Sequence, residues 1–308
     1  MRLSQHLRTL GLTNSQVKQA LSTGKVAYRG IPTSDGGREI NPDWVHYQVD
    51  APRLTPGRDV ALVHRDEDLA VVWKPAGLLS VPARKEGGHK SVMGVVRRIL
   101  GSAHVVHRID EHTSGLLLVA LNEHSQKHLK DQLFEHTVER RYLSLVHGQP
   151  ERERWTVENE LIRDRGDGLR GSRRSEEQPD GKRALTHFQA LERLGRNAAL
   201  VEATLETGRT HQVRIHLAES RHPVLGDPLY AHPRARQAAP RLALHAAVLE
   251  FTHPRTRARL RFEAPLADDL ERLRRTLLSP ERGEPQGRRS RGKPKRPRRG
   301  AGKKKRRR

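Results

Sequence analysis

Apolar residues recur along the chain with two periods, one helical and one of alternation. Leu3, Leu7 and Leu10 follow a helical spacing that Gly11 stops, and Asn14 or Ser15 can cap a second helix carrying Val17, Ala20 and Leu21, which Gly24 ends. Residues 25–28 then read as a short strand, Arg29-Gly30 as a turn and residues 44–49 as an alternating strand before Pro52. From about residue 59 the pieces lengthen. Residues 69–74 form an apolar strand, and Val92, Val95, Val96 and Ile99 fit a helix closed by Gly101. Residues 116–121 make a buried strand, Asn122 caps a helix whose Leu129 and Leu133 lie four apart, and residues 142–146 return as a strand. Strand character recurs at 184–192, 199–206, 242–251 and 258–262, with a helix at 210–219 and a long exposed loop at 163–183. Strands outnumber helices and follow one another in hairpin-like succession. This predicts an α+β domain with a largely antiparallel or mixed sheet rather than a doubly wound one.

Charge changes the picture. The 308 residues hold 59 Lys+Arg against 36 Asp+Glu, a formal excess of +23 that calls for a polyanionic partner, nucleic acid first. Residues 281–308 contain 15 of those cations against Glu281 and Glu284 alone, and lack any aliphatic side chain larger than Ala301. Such a segment cannot offset its ordering entropy and reads as a disordered basic tail, serving RNA attraction or solubility. The absence of cysteine removes disulfides, thiolate nucleophiles and Cys-based zinc sites. The first residues lack the order of a secretory signal, and the longest aliphatic run, 116–121, is far short of the roughly 20 residues of a bilayer span. A cytoplasmic, membrane-free protein is expected.

Candidate chemistry concentrates in two segments. His107-Arg108-Ile109-Asp110-Glu111-His112 leads through Thr113-Ser114-Gly115 into the buried run, so Asp110 lies at the lip of the core. It either caps a turn with Arg108 pairing beside it, or serves as an ionised nucleophile or base held by a guanidinium. The second segment, Thr207-Gly208-Arg209-Thr210-His211-Gln212-Val213-Arg214-Ile215-His216, supplies that guanidinium: on a helix starting at Thr210, Arg214 reaches outward near His211. His211 and His216 are five apart, which misses the i, i+4 spacing of a helical zinc pair, and no metal site is expected. Lys74-Pro75-Ala76-Gly77 and Gly226-Asp227-Pro228-Leu229-Tyr230 read as rigid turns. No glycine cluster forms a nucleotide fingerprint, so no NAD or ATP site is assigned.

Taken together and in this order, Lys74-Pro75-Ala76-Gly77, His107-Arg108-Ile109-Asp110 with Thr113-Ser114-Gly115-Leu116-Leu117, and the 209–216 segment resemble the RluA family of RNA pseudouridine synthases, over about residues 65–265. That family commonly has leucine at the place of Ile109 and lysine at that of Arg140. The resemblance implies a central mixed, mostly antiparallel sheet flanked by helices, and conversion of uridine in RNA to pseudouridine with no cofactor. It implies Asp110 as the catalytic carboxylate, Arg214 as its partner, Tyr142 stacked on the target base, and Arg108 holding or replacing the everted nucleotide. His107, Arg209, His211, Lys74 and Arg140 complete the expected substrate-binding set. Residues 1–50 resemble the alpha-L RNA-binding module of ribosomal proteins; the expected organisation is this module, a catalytic domain at 59–278 and the tail at 279–308. The expected partner is rRNA or tRNA, met by a monomer. A non-catalytic RNA-binding or ribosome-assembly factor is the alternative; a hydrolase of a small anion leaves the charge excess unexplained.

Overall fold

A computed structural model describes residues 1–82, 91–179 and 181–279. The tail expected at 279–308 lies, apart from Ser279, outside the described residues.

The chain opens with α1 (Leu3–Thr9), α2 (Asn14–Ser22) and three short strands, β1 (Val26–Tyr28), β2 (Ile31–Pro32) and β3 (Val45–Tyr47), in the order β2-β1-β3. Leu3, Leu7, Val17, Ala20, Leu21, Val26, Tyr28 and Ile40 form a small apolar cluster of their own. Thr13, rather than Asn14 or Ser15, caps α2: its Oγ1 accepts from Gln16 N at 3.3 Å, and Gln16 reaches back to Thr13 N at 2.8 Å. Leu10 falls outside α1, and Trp44 sits in a 3-10 turn, Pro42–Trp44, so the last strand is shorter than its alternation suggested.

Next come β4 (Ala61–Arg65), β5 (Leu69–Lys74), α3 (Val92–Leu100), β6 (His104–Val105), β7 (Ser114–Ala120), α4 (Glu123–Phe134) and β8 (Glu139–His147). Then follow β9 (Arg154–Ile162), β10 (Gly171–Ser172), β11 (Lys182–Leu194), β12 (Ala198–Leu205), α5 (Gln212–Glu219), α6 (Pro233–Gln237), β13 (Leu244–Thr252), β14 (Arg259–Glu263) and α7 (Asp268–Leu278). Gly101 closes α3 at φ 80°, and Asn122 Oδ1 caps α4 by accepting from Ser125 N at 2.8 Å, as their residue types require.

The strands from β4 onward make one sheet, ordered β10-β9-β11-β12-β8-β13-β7-β5-β4, with β14 beside β13 and β6 beside β7. Its pairings are antiparallel except β13 with β7, where His245 faces Ser114 and Ala246 faces Gly115. The expected α+β class with a mixed, mostly antiparallel sheet is therefore observed. Helix α4 packs on β6, β7 and β13, while α5 and α7 pack on β11. Every residue of β7 is buried, which is why its sequence is an unbroken apolar run without alternation. No helix among the described residues is long and apolar enough to cross a membrane.

Two differences bear on the site. Strand β9 gave no clear signal, because Arg154, Thr156, Glu158 and Glu160 keep one of its faces polar and exposed, and Gly171-Ser172 pairs with it inside the stretch read as loop. Helix α5 starts two residues later than expected, because His211 occupies the left-handed region at φ 61° and sets the chain's angle of entry.

Candidate active site

The junction of β7 and β13 fixes the position of the acidic turn. Gly115 has φ +119°, and a Cβ there would lie 2.2 Å from Ala246 O of the neighbouring strand; only glycine permits this approach. Upstream, Ile109 is buried in the core while its main chain bonds Ser80: Ser80 Oγ donates to Ile109 O at 2.7 Å and accepts from Ile109 N at 3.2 Å. Gly77 N donates to Glu111 O at 2.8 Å. The flanking residues are thus tied down on both sides, and Asp110 is left at the rim with its side chain 20% exposed.

Lys74 belongs to this scaffold. Sequence reasoning expected it to contact substrate, but its side chain is fully buried outside the cleft and Nζ donates to Pro75 O (2.9 Å), Leu78 O (2.6 Å) and Glu111 O (2.7 Å). Burial pushes the ammonium down to about 7, with Asp110 and Glu111 opposing. Three carbonyl acceptors need three N–H donors, which only the protonated form supplies. Its task in this fold is to pin the end of β5 to the turn that carries Asp110.

The second segment approaches from α5. Gln212 locks the preceding loop: its Oε1 accepts from Thr207 Oγ1 (2.8 Å) and Arg209 N (2.9 Å), while Nε2 donates to Leu185 O (3.0 Å) and Thr186 Oγ1 (2.9 Å). Arg214, two residues further on, is buried and bridges two carboxylates. Its Nη1 donates to Asp110 Oδ2 at 3.1 Å, and Nε and Nη2 donate to the two oxygens of Asp227, both at 2.8 Å. The planar fork of a guanidinium suits this bidentate contact. Asp227 is fully buried and also accepts from Leu229 N (2.9 Å) and Tyr230 N (3.2 Å). Burial alone would raise its pKa, but the Arg214 bonds and charge together with the two amides hold it below the usual carboxylate value. For Arg214 burial pulls down, and the two carboxylates override it and raise the pKa.

His211 stands on the other side of Asp110, its Nε2 3.9 Å from Oδ2 and its Nδ1 2.9 Å from Tyr230 Oη. Burial lowers its pKa, opposed by the charge of Asp110. The Tyr230 ring also lies 5.2 Å from the Arg214 guanidinium carbon. In the sequence Asp227 and Tyr230 read only as turn residues. The signal was present in the acid and the phenol three apart in Gly226-Asp227-Pro228-Leu229-Tyr230, but the turn alone accounts for those residue types.

These groups border a cavity of about 500 Å³ lined by Arg108, Asp110, Arg140, Tyr142, Arg209 and Arg214, among others. Tyr142 on β8 is buried beneath it, and burial pushes its hydroxyl up to about 12, so the phenol stays protonated at neutral pH. Arg140, two residues earlier on the same face, donates through Nη2 to Glu206 O at 3.1 Å, while its buried Nε has no partner among the described residues. A Cβ at Gly208 would come within 2.5 Å of Arg140 Nη1, so glycine there makes room for the guanidinium. Arg108 and Arg209 are exposed at the rim; Arg209 Nε donates to Arg183 O at 2.9 Å. His107 also lines the cavity, but its Nε2 accepts from Leu118 N at 3.1 Å and burial pushes its pKa down to about 3, which makes it a neutral structural acceptor. The arrangement offers an acidic oxygen held by a buried cation, an aromatic wall and a rim of arginines. It suits an anionic, ring-bearing substrate.

Comparisons with known proteins point the same way. A family model described as RNA pseudouridylate synthase matches residues 68–219. An RNA pseudouridine synthase of Bacillus subtilis strain 168, YlyB, is 36% identical over 275 residues, covering 85% of this chain and 88% of that protein. The dual-specificity RNA pseudouridine synthase RluA of Haemophilus influenzae is 38% identical over 216 residues, covering 69% and 95%. Among solved structures, human RNA pseudouridylate synthase domain containing 1 superposes with a TM-score of 0.59 at 27% identity, covering 69% of this chain and 86% of that one. With its sheet, its acidic turn and these relatives in agreement, the chain belongs to the RluA family of RNA pseudouridine synthases.

Proposed function

We propose that Asp110 is the catalytic carboxylate and that it acts on the ribose of a uridine everted into the 500 Å³ cavity. The observation that carries this reading is the Arg214 bridge, which fixes Asp110 Oδ2 at 3.1 Å from a buried, permanently charged donor. The reaction breaks the bond from ribose C1′ to uracil N1, turns the base while it stays bound, and rejoins it through C5. An ionised carboxylate serves by attacking C1′ or by stabilising a cationic sugar, as glycosidase carboxylates do. The Arg214 guanidinium, 3.1 Å away, holds that oxygen in place.

Tyr142 provides the aromatic wall for the uracil, and its protonated hydroxyl adds no charge beside it. Extruding a base from folded RNA costs a few kcal/mol, which cationic and aromatic contacts offset. Arg108, exposed at the rim, is suited to hold the nucleotide or fill its place in the stack; Arg140 and Arg209 face the phosphates. The substrate is rRNA, tRNA or both, a reading supported by the dual-specificity name of the RluA relatives. Residues 1–50 act as an accessory RNA-binding module of alpha-L type, and the protein works as a cytoplasmic monomer. A purely binding role leaves the bridge between two carboxylates without a use.

The test is Asp110→Asn. Tritium release from 5-tritiated uridine in RNA should vanish while RNA affinity stays within about twofold, since the change removes one charge from a site dominated by cations. Retained turnover would overturn the assignment. Pseudouridine mapping by carbodiimide-stop sequencing, in cells with and without the protein, identifies the RNA and the position.

A further inference from the structure

A second cavity, of about 350 Å³, lies where the amino-terminal strands meet the start of α7. Four arginines line it, Arg38, Arg58, Arg241 and Arg272, against two carboxylates, Asp268 and Asp269. The carboxylates are already engaged. Asp268 accepts from Arg38 Nη2 (3.0 Å), Thr33 Oγ1 (2.7 Å) and Ser34 N (2.7 Å), and Asp269 takes Arg241 Nε (2.6 Å) and Nη2 (2.7 Å). Arg58 and Arg272 are exposed, and their guanidinium groups have no partner among the described residues.

Two further residues of the lining, Arg38 and Trp73, are themselves buried. Their Nε and Nε1 have no partner among the described residues, but both atoms are closed off from solvent, so they frame the cavity rather than bind in it. The unpaired groups that a ligand can reach here are the guanidinium groups of Arg58 and Arg272, so the ligand that fits them is rich in acceptors and negatively charged. Guanidinium groups match the oxygens of a phosphate in geometry as well as in charge.

The second cavity is joined to the first through one turn. Asp110 and Thr113 line the cleft, whereas Ser114 lines the second cavity, where Arg241 Nη2 donates to its Oγ at 3.3 Å. We propose that the second cavity is a phosphate site, filled by a backbone phosphate of the RNA whose uridine occupies the cleft. The proposal rests on the reading of the cleft as the uridine site and extends the RNA footprint across the Asp110 turn to the amino-terminal strands.

The test uses the full chain with Arg58→Ser and Arg272→Ser together, against a control with Arg193→Ser and Arg196→Ser, exposed at the end of β11 and in the turn that follows it. The first pair should weaken RNA binding about tenfold, as expected for loss of charge-assisted bonds, and flatten log K against log salt by about one contact. The control should change neither. Equal effects from both pairs, or none from the first, would overturn the proposal. Inorganic phosphate, titrated against chloride at constant ionic strength, should raise the melting temperature of the unsubstituted chain and not of the Arg58/Arg272 variant. Stabilisation by phosphate without any change in the RNA salt slope would mark a site for free phosphate and would overturn RNA as the source. Pseudouridine formation is scored in parallel: its absence in the unsubstituted chain counts against the cleft reading, while the phosphate titration reports on the second cavity by itself.

Discussion

Asp227 offers the sharpest perturbation, because it never reaches the cleft and works through Arg214. Its Oδ1 accepts from Leu229 N, Tyr230 N and Arg214 Nη2, and its Oδ2 accepts from Arg214 Nε. In Asp227→Asn the amide oxygen takes the position with three donors, and the NH2 group is turned toward Arg214 Nε. Donor then meets donor, and the buried guanidinium loses a charge-assisted pair. Breaking a buried ion pair from one side costs about 3–5 kcal/mol; Asp110 still faces the same guanidinium, so the loss should sit near the lower figure. At roughly 2–4 °C per kcal/mol for a chain of this size, the melting temperature should fall by about 6–12 °C.

Activity should suffer more than affinity. Arg214 loses the bidentate anchor that aims Nη1 at Asp110, and misplacement on the order of 1 Å costs about a hundredfold in rate. Single-turnover tritium release should therefore slow by about that factor, while the RNA dissociation constant, set by the rim arginines, stays within about twofold. A double replacement, Arg214→Met with Asp227→Leu, separates the two effects. Removing both charges relieves the unpaired burial but leaves the Leu229 and Tyr230 amides without their acceptor, so it should restore only part of the melting temperature, and the enzyme stays inactive. An Asp227→Asn protein that melts with the wild type and turns over within threefold of it would refute the claim that Asp227 positions the site.

Three further outcomes follow from the same geometry. Gly115→Ala should cost about 3 kcal/mol or more, because the added carbon meets a strand carbonyl at 2.2 Å and φ is +119°; chemical denaturation reads this, and near-wild-type stability would contradict the register of β7 on β13. Gly208→Ala presses instead on the movable end of Arg140, 2.5 Å away: the melting temperature should hold within about 2 °C while kcat/KM drops about tenfold, and a variant that unfolds instead would show the clash cannot be relieved. Burial pushes His216 down to about 4 and His245 to about 3. The unfolded chain binds these protons from about pH 6.5 downward and the folded chain does not, so their contribution is present above pH 6.5 and declines as pH falls toward 4. By pH 5 each should have withdrawn about 2 kcal/mol, and equal urea stabilities at pH 7 and pH 5 would rule this out.

The sequence by itself determined the elements whose causes are local. An unbroken apolar run made β7, a helical stripe ending in a left-handed glycine made α3, and an asparagine side chain started α4. It also marked Asp110 and Arg214, because a carboxylate at the mouth of a buried strand is costly without a partner and a helix starting near Thr210 lets Arg214 reach one. What it left open depends on which segments meet. Lys74 looks like a substrate cation until its own following turn and the distant Glu111 carbonyl close on it, and Asp227 looks like a turn residue until α5 brings a guanidinium against it. Strand β9 escaped because its polar face answers to solvent, and the left-handed His211 because its strain is held by neighbours distant in the chain. Local free energies are written in adjacent residues; the pairing of charges across 104 positions, as between Asp110 and Arg214, exists only once the sheet has chosen its order.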